Sequence, residues 1–299
     1  MEYLTRNLSH VWLRNQTENQ FSFNPYCSIC CMNISDDTVG KRCGKHTMCV
    51  YEDRAGSNCK GFISIRFTQD EIAVIVDIHN TLRNKVATGK ERRGDPGPQP
   101  MASNMRIIEW DPELAIVASR WASQCVFAHD MCRDVSRYPV GQNIAKGNFA
   151  LNNDLSFIVS WYETVEMFNK AGISRFQLRH HNRYPSPLQY AQLVWAETYQ
   201  VGCARVAFQR ADGPKVTYTE HFVCNYGPSG NIPGQRVYKV GGAVYGLSPR
   251  DRVYHRVSGL VRKRSRRLER LKEKREELTN TRRRSVHGHE RREFKEVEH

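Results

Sequence analysis

Ten cysteines carry the first chemistry this sequence can offer: Cys27, Cys30, Cys31, Cys43, Cys49, Cys59, Cys125, Cys132, Cys203 and Cys224, six of them within the first 60 residues. A dense, irregularly spaced set of even count reads as a disulfide framework, which persists only in an oxidising compartment. Zinc is the competing chemistry, because Cys27-x-x-Cys30 has ligand-like spacing. No second CxxC or HxxxH follows at the required distance, so zinc loses. Nucleophilic catalysis finds no footing either: there is no Gly-x-Ser-x-Gly elbow, and oxidised cysteines cannot attack. The acidic pairs Asp70/Glu71 and Asp111/Glu113 stand where helices begin, which explains them through the helix dipole rather than as acid–base pairs. His79 falls on an apolar helical stripe and reads as a core histidine. His180 and His181 are adjacent, point in different directions and read as a solvated loop.

The elements that must position these groups are legible in part. Thr68-Gln69-Asp70-Glu71 has the capping-box pattern, and Ile72, Val76, His79, Leu82 and Val86 then recur on one helix face as far as Gly89. Gly94 to Pro100 is a loop. Asp111-Pro112 opens a second helix, with Leu114, Val117, Ala118, Trp121, Cys125 and His129 expected to share a face. A third helix begins near Asp154, with Leu155, Ile158, Val159, Tyr162 and Val165 expected inward. A short fourth starts at Pro187 and carries Tyr190, Leu193, Val194 and Trp195. Val201–Gln209 and Lys215–Asn225 read as two strands around an Ala211-Asp212-Gly213-Pro214 turn. Helices followed by a hairpin predict an α+β sandwich with a central antiparallel sheet.

The chain divides into a flexible segment 1–26, a cysteine-rich head 27–66, a core 67–235 and a basic tail 236–299. Hydrophobic residues make up 39% and charged residues 25%, and no apolar run is long enough to span a bilayer. The formal net charge is +14, and the last 50 residues hold 18 Lys and Arg against 9 Asp and Glu. That balance of +9 leaves only +5 for the first 249 residues. In the tail, Leu268, Leu271 and Leu278 form a seam too thin to bury, so a solvated, partly helical or disordered extension is expected. It could meet heparin-like glycans or an anionic membrane; nucleic acid fits a secreted protein least well. Asn7, Asn15 and Asn33 open glycosylation sequons, in keeping with secretion. The opening residues lack the apolar region of a signal peptide, so the expectation is an export signal missing from this sequence or an unconventional one.

Several motifs in order carry a resemblance. His221-Phe222-Val223-Cys224-Asn225-Tyr226-Gly227-Pro228-Ser229-Gly230-Asn231-Ile232 is similar to the second signature of the CAP (cysteine-rich secretory protein) superfamily, and Gln189 to Thr198 resembles the first. His79-Asn80-x-x-Arg83, Cys125 to His129 and Gly141 to Ala145 are also family-like. The Gly94–Pro100 loop and the Cys27/Cys31/Cys49/Cys59 head resemble the insect venom-allergen (antigen-five) branch. The resemblance spans roughly residues 25–235. It implies a disulfide-stapled α-β-α sandwich with Cys27–Cys49, Cys31–Cys132, Cys59–Cys125 and Cys203–Cys224 joined. It assigns no partner to Cys30 or Cys43, which are expected to pair with each other.

Members of that family have a cleft of two histidines and two acidic residues, which in some of them binds a divalent ion. Here the first histidine matches His129, on the second helix. The acidic positions match Gln142 and Thr164, with Glu163 one place off, and the second histidine matches Gln189. Amides are poor ligands beside carboxylates, so no metal or other cofactor is expected and no catalytic residue is assigned. The expected function is that of a secreted, non-enzymatic binding protein for a sterol, a fatty acid or a host protein. An apolar crevice could be walled by Ile72, Val76 and the Tyr190–Trp195 face, residues that core packing explains equally well. Polyanion binding through the tail and a divalent-metal-dependent hydrolase are the alternatives.

Overall fold

The computed structural model describes residues 24–34, 39–149, 154–177, 185–212 and 215–242. Within them the head comes first. Asn24 accepts from the Tyr26 amide and starts a 3-10 turn over Pro25–Ser28. Tyr26, expected in the flexible segment, is held instead: its hydroxyl donates to Glu113 over 3.0 Å and its ring stacks on His46. Strands β1 (Cys30–Ile34) and β2 (Val39–Cys43) pair antiparallel, with Cys30 directly opposite Cys43. A single turn, α1 (Thr47–Val50), follows, capped by His46, whose Nδ1 accepts from the Met48 amide. The head then gives a strand to the main sheet, β3 (Ile63–Ile65).

Helix α2 (Gln69–Ala87) starts where its capping box places it: Glu71 N–H donates to Thr68 Oγ1, and Thr68 N–H to Glu71 Oε2. Its buried stripe is rotated from the expected one. Ile75, His79, Arg83 and Val86 are buried, whereas Ile72, Val76 and Leu82 are only half-buried. The polar side chains of His79 and Arg83 go inward because each finds partners there. A two-residue β4 (Glu109–Trp110) leads to α3 (Pro112–Ala122), with Asp111 as cap and Pro112 at the first position. This helix is shorter than expected. Ser123 caps it, and Cys125 takes a left-handed φ of 55°, so Cys125 and His129 lie on the loop beyond it.

Strand β5 (Gly141–Asn148) and helix α4 (Asp154–Glu163) come next. In α4 the inward residues are Phe157, Ile158, Trp161 and Tyr162. Val159, expected inward, is 37% exposed, because the buried stripe lies on the other side of Ile158. Helix α5 (Pro187–Leu193) is capped by Ser186, and the long hairpin β6 (Gln200–Asp212) and β7 (Lys215–Gly227) closes the fold.

The main sheet runs β3-β6-β7-β5, antiparallel throughout, with β4 added parallel to the start of β6. One face packs on α2, α4 and α5 through Val201, Cys203, Phe222, Cys224 and Tyr226. The opposite face packs on α3 through Ala204, Val206 and Val223. Alternation along each strand divides the side chains between two apolar layers, which makes an α-β-α sandwich. Gly202 is required on the α3 side, since a Cβ there would collide with the backbone of Leu114 and Ala115. The core continues past residue 235: Val237 and Tyr238 are each 1% exposed, and Val240 bridges to Ala102. Five disulfides close the structure, Cys27–Cys49, Cys30–Cys43, Cys31–Cys132, Cys59–Cys125 and Cys203–Cys224. The last joins residues directly opposite each other on β6 and β7. Among the described residues, no helix is long and apolar enough to cross a membrane.

Candidate functional site

Two of the five expected cleft residues, His129 and Gln142, meet where the loop after α3 crosses the start of β5. His129 comes from the loop and Gln142 from the second position of β5. His129 Nδ1 lies 2.8 Å from Gln142 Oε1. The amide nitrogen of Gln142 donates to Asp130 Oδ1 at 3.1 Å and to Asn225 Oδ1 at 3.0 Å. Those two donations fix which end of the amide faces His129. An amide oxygen can only accept, so the imidazole proton sits on Nδ1 and the Nε2 lone pair is the free one.

Asp130 is the residue that sequence reasoning missed. It is 5% exposed and receives Thr47 Oγ1, Arg133 Nε and Gln142 Nε2. Burial would raise its pKa, but Arg133 and then the Thr47 hydroxyl hold it below the ordinary carboxylate value. Its signal was present in the sequence as Asp130-x-x-Arg133, an ion pair at short spacing immediately after His129. His129 keeps an exposed edge. Its other side is crowded by protein, and that desolvation, followed by the Arg133 cation, lowers its pKa from 6.5.

The other expected positions are placed less directly. Gln189 is buried at the start of α5, and its carbonyl accepts from Asn143 Nδ2, next to Gln142. Thr164 is buried too; its hydroxyl donates to the Trp161 carbonyl and accepts from the amide of Tyr190, the neighbour of Gln189. Glu163 turns away from this group and forms an ion pair with Arg93. Arg93 also grips Glu91, which is 1% exposed and accepts from Tyr162 as well. Burial alone would raise the Glu91 pKa, yet the bonds from Arg93 and Lys85 hold it well below the carboxylate range. Arg93, itself held by Glu91, thus engages Glu163 apart from the His129–Gln142 group.

This donor set does not fit a divalent ion. It offers one free imidazole nitrogen, while Gln142, Thr164 and Gln189 present neutral groups. The one carboxylate close by, Asp130, is already engaged by a hydroxyl, a guanidinium and an amide. Among the described residues there is no group of three or more His, Cys, Asp or Glu that could hold a metal. The apolar crevice fares no better, because Tyr190, Leu193, Val194 and Trp195 are each 0–1% exposed within the main core. His79 is a satisfied core group: Nδ1 bonds the Ile75 carbonyl at 2.7 Å and Nε2 the Tyr226 hydroxyl at 3.0 Å. His180, His181, Asn7, Asn15 and the tail from residue 243 lie outside the described residues; Asn33 is in β1.

Comparison with known proteins matches these observations. The family model described as CAP, the cysteine-rich secretory protein family, matches residues 76–226. Venom allergen 3 of Solenopsis invicta is 44% identical over 240 residues, covering 78% of this chain and 97% of the relative. Venom allergen 5 of Dolichovespula arenaria is 39% identical over 221 residues, covering 72% of this chain and 99% of the relative. The solved structure of Na-ASP-1 is 24% identical, with a TM-score of 0.49 over 66% of this chain and 48% of that one. Motif order, five disulfides and the relatives' coverage lead to one assignment: the chain belongs to the CAP family of cysteine-rich secretory proteins, with insect venom allergens among its relatives.

Proposed function

We propose that the protein acts outside the cell by binding a partner protein at its surface, without catalysing a reaction. One observation carries this reading: the polar groups at the expected cleft positions are already engaged by other side chains. Gln142 is tied to Asp130, Asn225 and His129, and Glu163 is tied to Arg93. A hydrolase needs a base within reach of a nucleophile or a metal-bound water, and an oxyanion site beside it. A single Nε2 lone pair supplies none of these combinations. The disulfide framework supports an oxidising, extracellular setting. A protein partner is preferred to a sterol or fatty acid because the Tyr190–Trp195 wall of the candidate crevice is consumed by core packing, which leaves only the half-buried Ile72 and Val76.

The test is elemental analysis of the purified protein after equilibration with zinc, combined with hydrolysis assays and lipid extraction. The expected result is no stoichiometric metal, no turnover and no retained lipid. Stoichiometric zinc, or turnover lost in His129→Ala, would overturn the non-catalytic reading, and a co-purified sterol would overturn the choice of partner. The charge of the last 50 residues, +9, favours a second contact with sulfated glycans. Salt-sensitive retention on heparin that survives deletion of residues 250–299 would refute it.

A further inference from the structure

The five disulfides differ in what surrounds them. Cys31–Cys132 and Cys203–Cys224 are buried at both ends, at 4% exposure or less. Cys59–Cys125 has one buried and one half-buried end, and Cys27–Cys49 one half-buried and one exposed. Of the five, Cys30–Cys43 is the one whose two residues are both exposed. It lies at the open end of the β1–β2 ribbon, across directly opposed positions. Thiol–disulfide exchange requires a thiolate to approach one sulfur in line with the bond, so access decides which bridge reacts first.

Two further features separate this bridge from the rest. As a staple it duplicates others: Cys27–Cys49 closes a loop that encloses both of its residues, and the adjacent Cys31 is tied to Cys132 in the core. Opening it leaves the head anchored. Its surroundings are also cationic. Lys41, Arg42 and Lys45 stand within two residues of Cys43, and Lys41 shares its face of β2. Cations beside a sulfur stabilise the thiolate and make it a better leaving group.

From these features we infer that Cys30–Cys43 is a thiol–disulfide exchange site whose partner is an extracellular dithiol, protein or small molecule. A partner thiolate attacks Cys30 Sγ, the S–S bond breaks, and its electron pair leaves on Cys43 Sγ, which then takes a proton. The partner's second thiol attacks the mixed disulfide and releases Cys30. The partner ends as a disulfide, oxidised by two electrons, and the ribbon ends as two thiols. The other four bridges stay closed, and the sandwich keeps its packing while the ribbon loses the bond across its open end.

The experiment pulses the native, fully oxidised protein with dithiothreitol at pH 7.5, traps thiols by alkylation and maps them by mass spectrometry. The expected result is labelling of Cys30 and Cys43 at least about tenfold faster than any other pair, with the near-ultraviolet circular dichroism unchanged. Lys41→Gln with Lys45→Gln should slow that phase by roughly threefold, through loss of thiolate stabilisation. The double variant Cys30→Ser, Cys43→Ser should lack the phase. Another pair opening first, or all five opening together with loss of tertiary signal, would overturn the inference.

Discussion

Gln142 Oε1 stands 2.8 Å from His129 Nδ1, and the same amide reaches Asp130 Oδ1 at 3.1 Å with its nitrogen. The two contacts connect a solvent-edge imidazole to a buried carboxylate through a group that cannot ionise. An amide in that position transmits orientation without transmitting charge. His129 is held in one tautomer, and burial and then Arg133 outweigh the Gln142 bond that favours its protonated form, which separates this pair from a catalytic histidine–carboxylate couple.

Gln142→Glu therefore tests the connection. A carboxylate beside Nδ1 would favour the imidazolium and raise the His129 pKa. Titration of the His129 ring by NMR checks this, with the unsubstituted protein expected to titrate below 6.5. The same substitution removes an amide donor from Asp130 and Asn225, so some loss of stability should accompany it.

Acid should weaken the fold through two buried histidines. Burial, opposed by a bond to the Ile75 carbonyl and reinforced by Arg83, lowers His79 to about 4. Burial also lowers His221 to about 4, with Lys146 adding to it and a contact with the Ala122 carbonyl opposing. In the unfolded chain both titrate near 6.5. Between those values the unfolded state binds more protons, so stability rises with pH. The contribution is complete above about pH 6.5 and is lost as the pH falls towards 4, on the order of 3 kcal/mol for each group. Denaturation midpoints at pH 7.5 and 4.5 measure it, and His221→Phe should reduce the difference between them.

Arg83 is 2% exposed and gathers backbone carbonyls from two loops. It donates to Leu193, Trp195, Ala196 and Thr198 at 2.8–3.3 Å, and twice to Arg106. Arg83→Met should cost about 3–5 kcal/mol, since those buried carbonyls lose their donors. Arg83→Lys should recover little of it, because an ammonium has three donors and no planar fork. Chemical denaturation of both variants decides, and an unchanged midpoint in either would contradict this role.

Glu91→Gln should loosen the loop from Arg92 to Pro100. The carboxylate holds Lys85 at 2.8 Å, Arg93 at 2.9 Å and the Tyr162 hydroxyl at 2.9 Å. Removing its charge leaves Lys85 without its anion and Arg93 with Glu163 and Glu166 alone, and since both cations are partly exposed the cost should be about 1–2 kcal/mol. Limited trypsin digestion should then cut after Arg92 or Arg93 several times faster, with the rest of the domain resistant.

The starts of the helices were readable because they depend on neighbours in the chain. Thr68 with Glu71, Asp111 with Pro112, and Ser186 with Pro187 satisfy backbone donors within a few residues, so local sequence suffices. The two strands of the β6–β7 hairpin were readable from their apolar alternation, although Ala211 and Asp212, expected in the turn, belong to β6. Helix ends and buried faces were less so. Nothing in the spacing of Trp121, Cys125 and His129 shows that Cys125 turns left-handed, and that turn takes His129 off the helix. The inward turn of Arg83 was hidden too, since it is stabilised by carbonyls more than 100 residues away in the chain.

Sequence by itself determined that this is a disulfide-stapled α-β-α domain of the CAP family, because motif order, cysteine number and capping patterns are written residue by residue. It also placed amides, Gln142 and Gln189, at two of the positions where the family resemblance leads one to expect ligands. Only the tertiary structure decided what those amides do. It brought Asp130 to Gln142, drew Glu163 out to Arg93 and left Cys30–Cys43 at the surface. Hydrogen bonds between distant segments depend on where packing leaves their donors, and packing is a property of the whole folded chain.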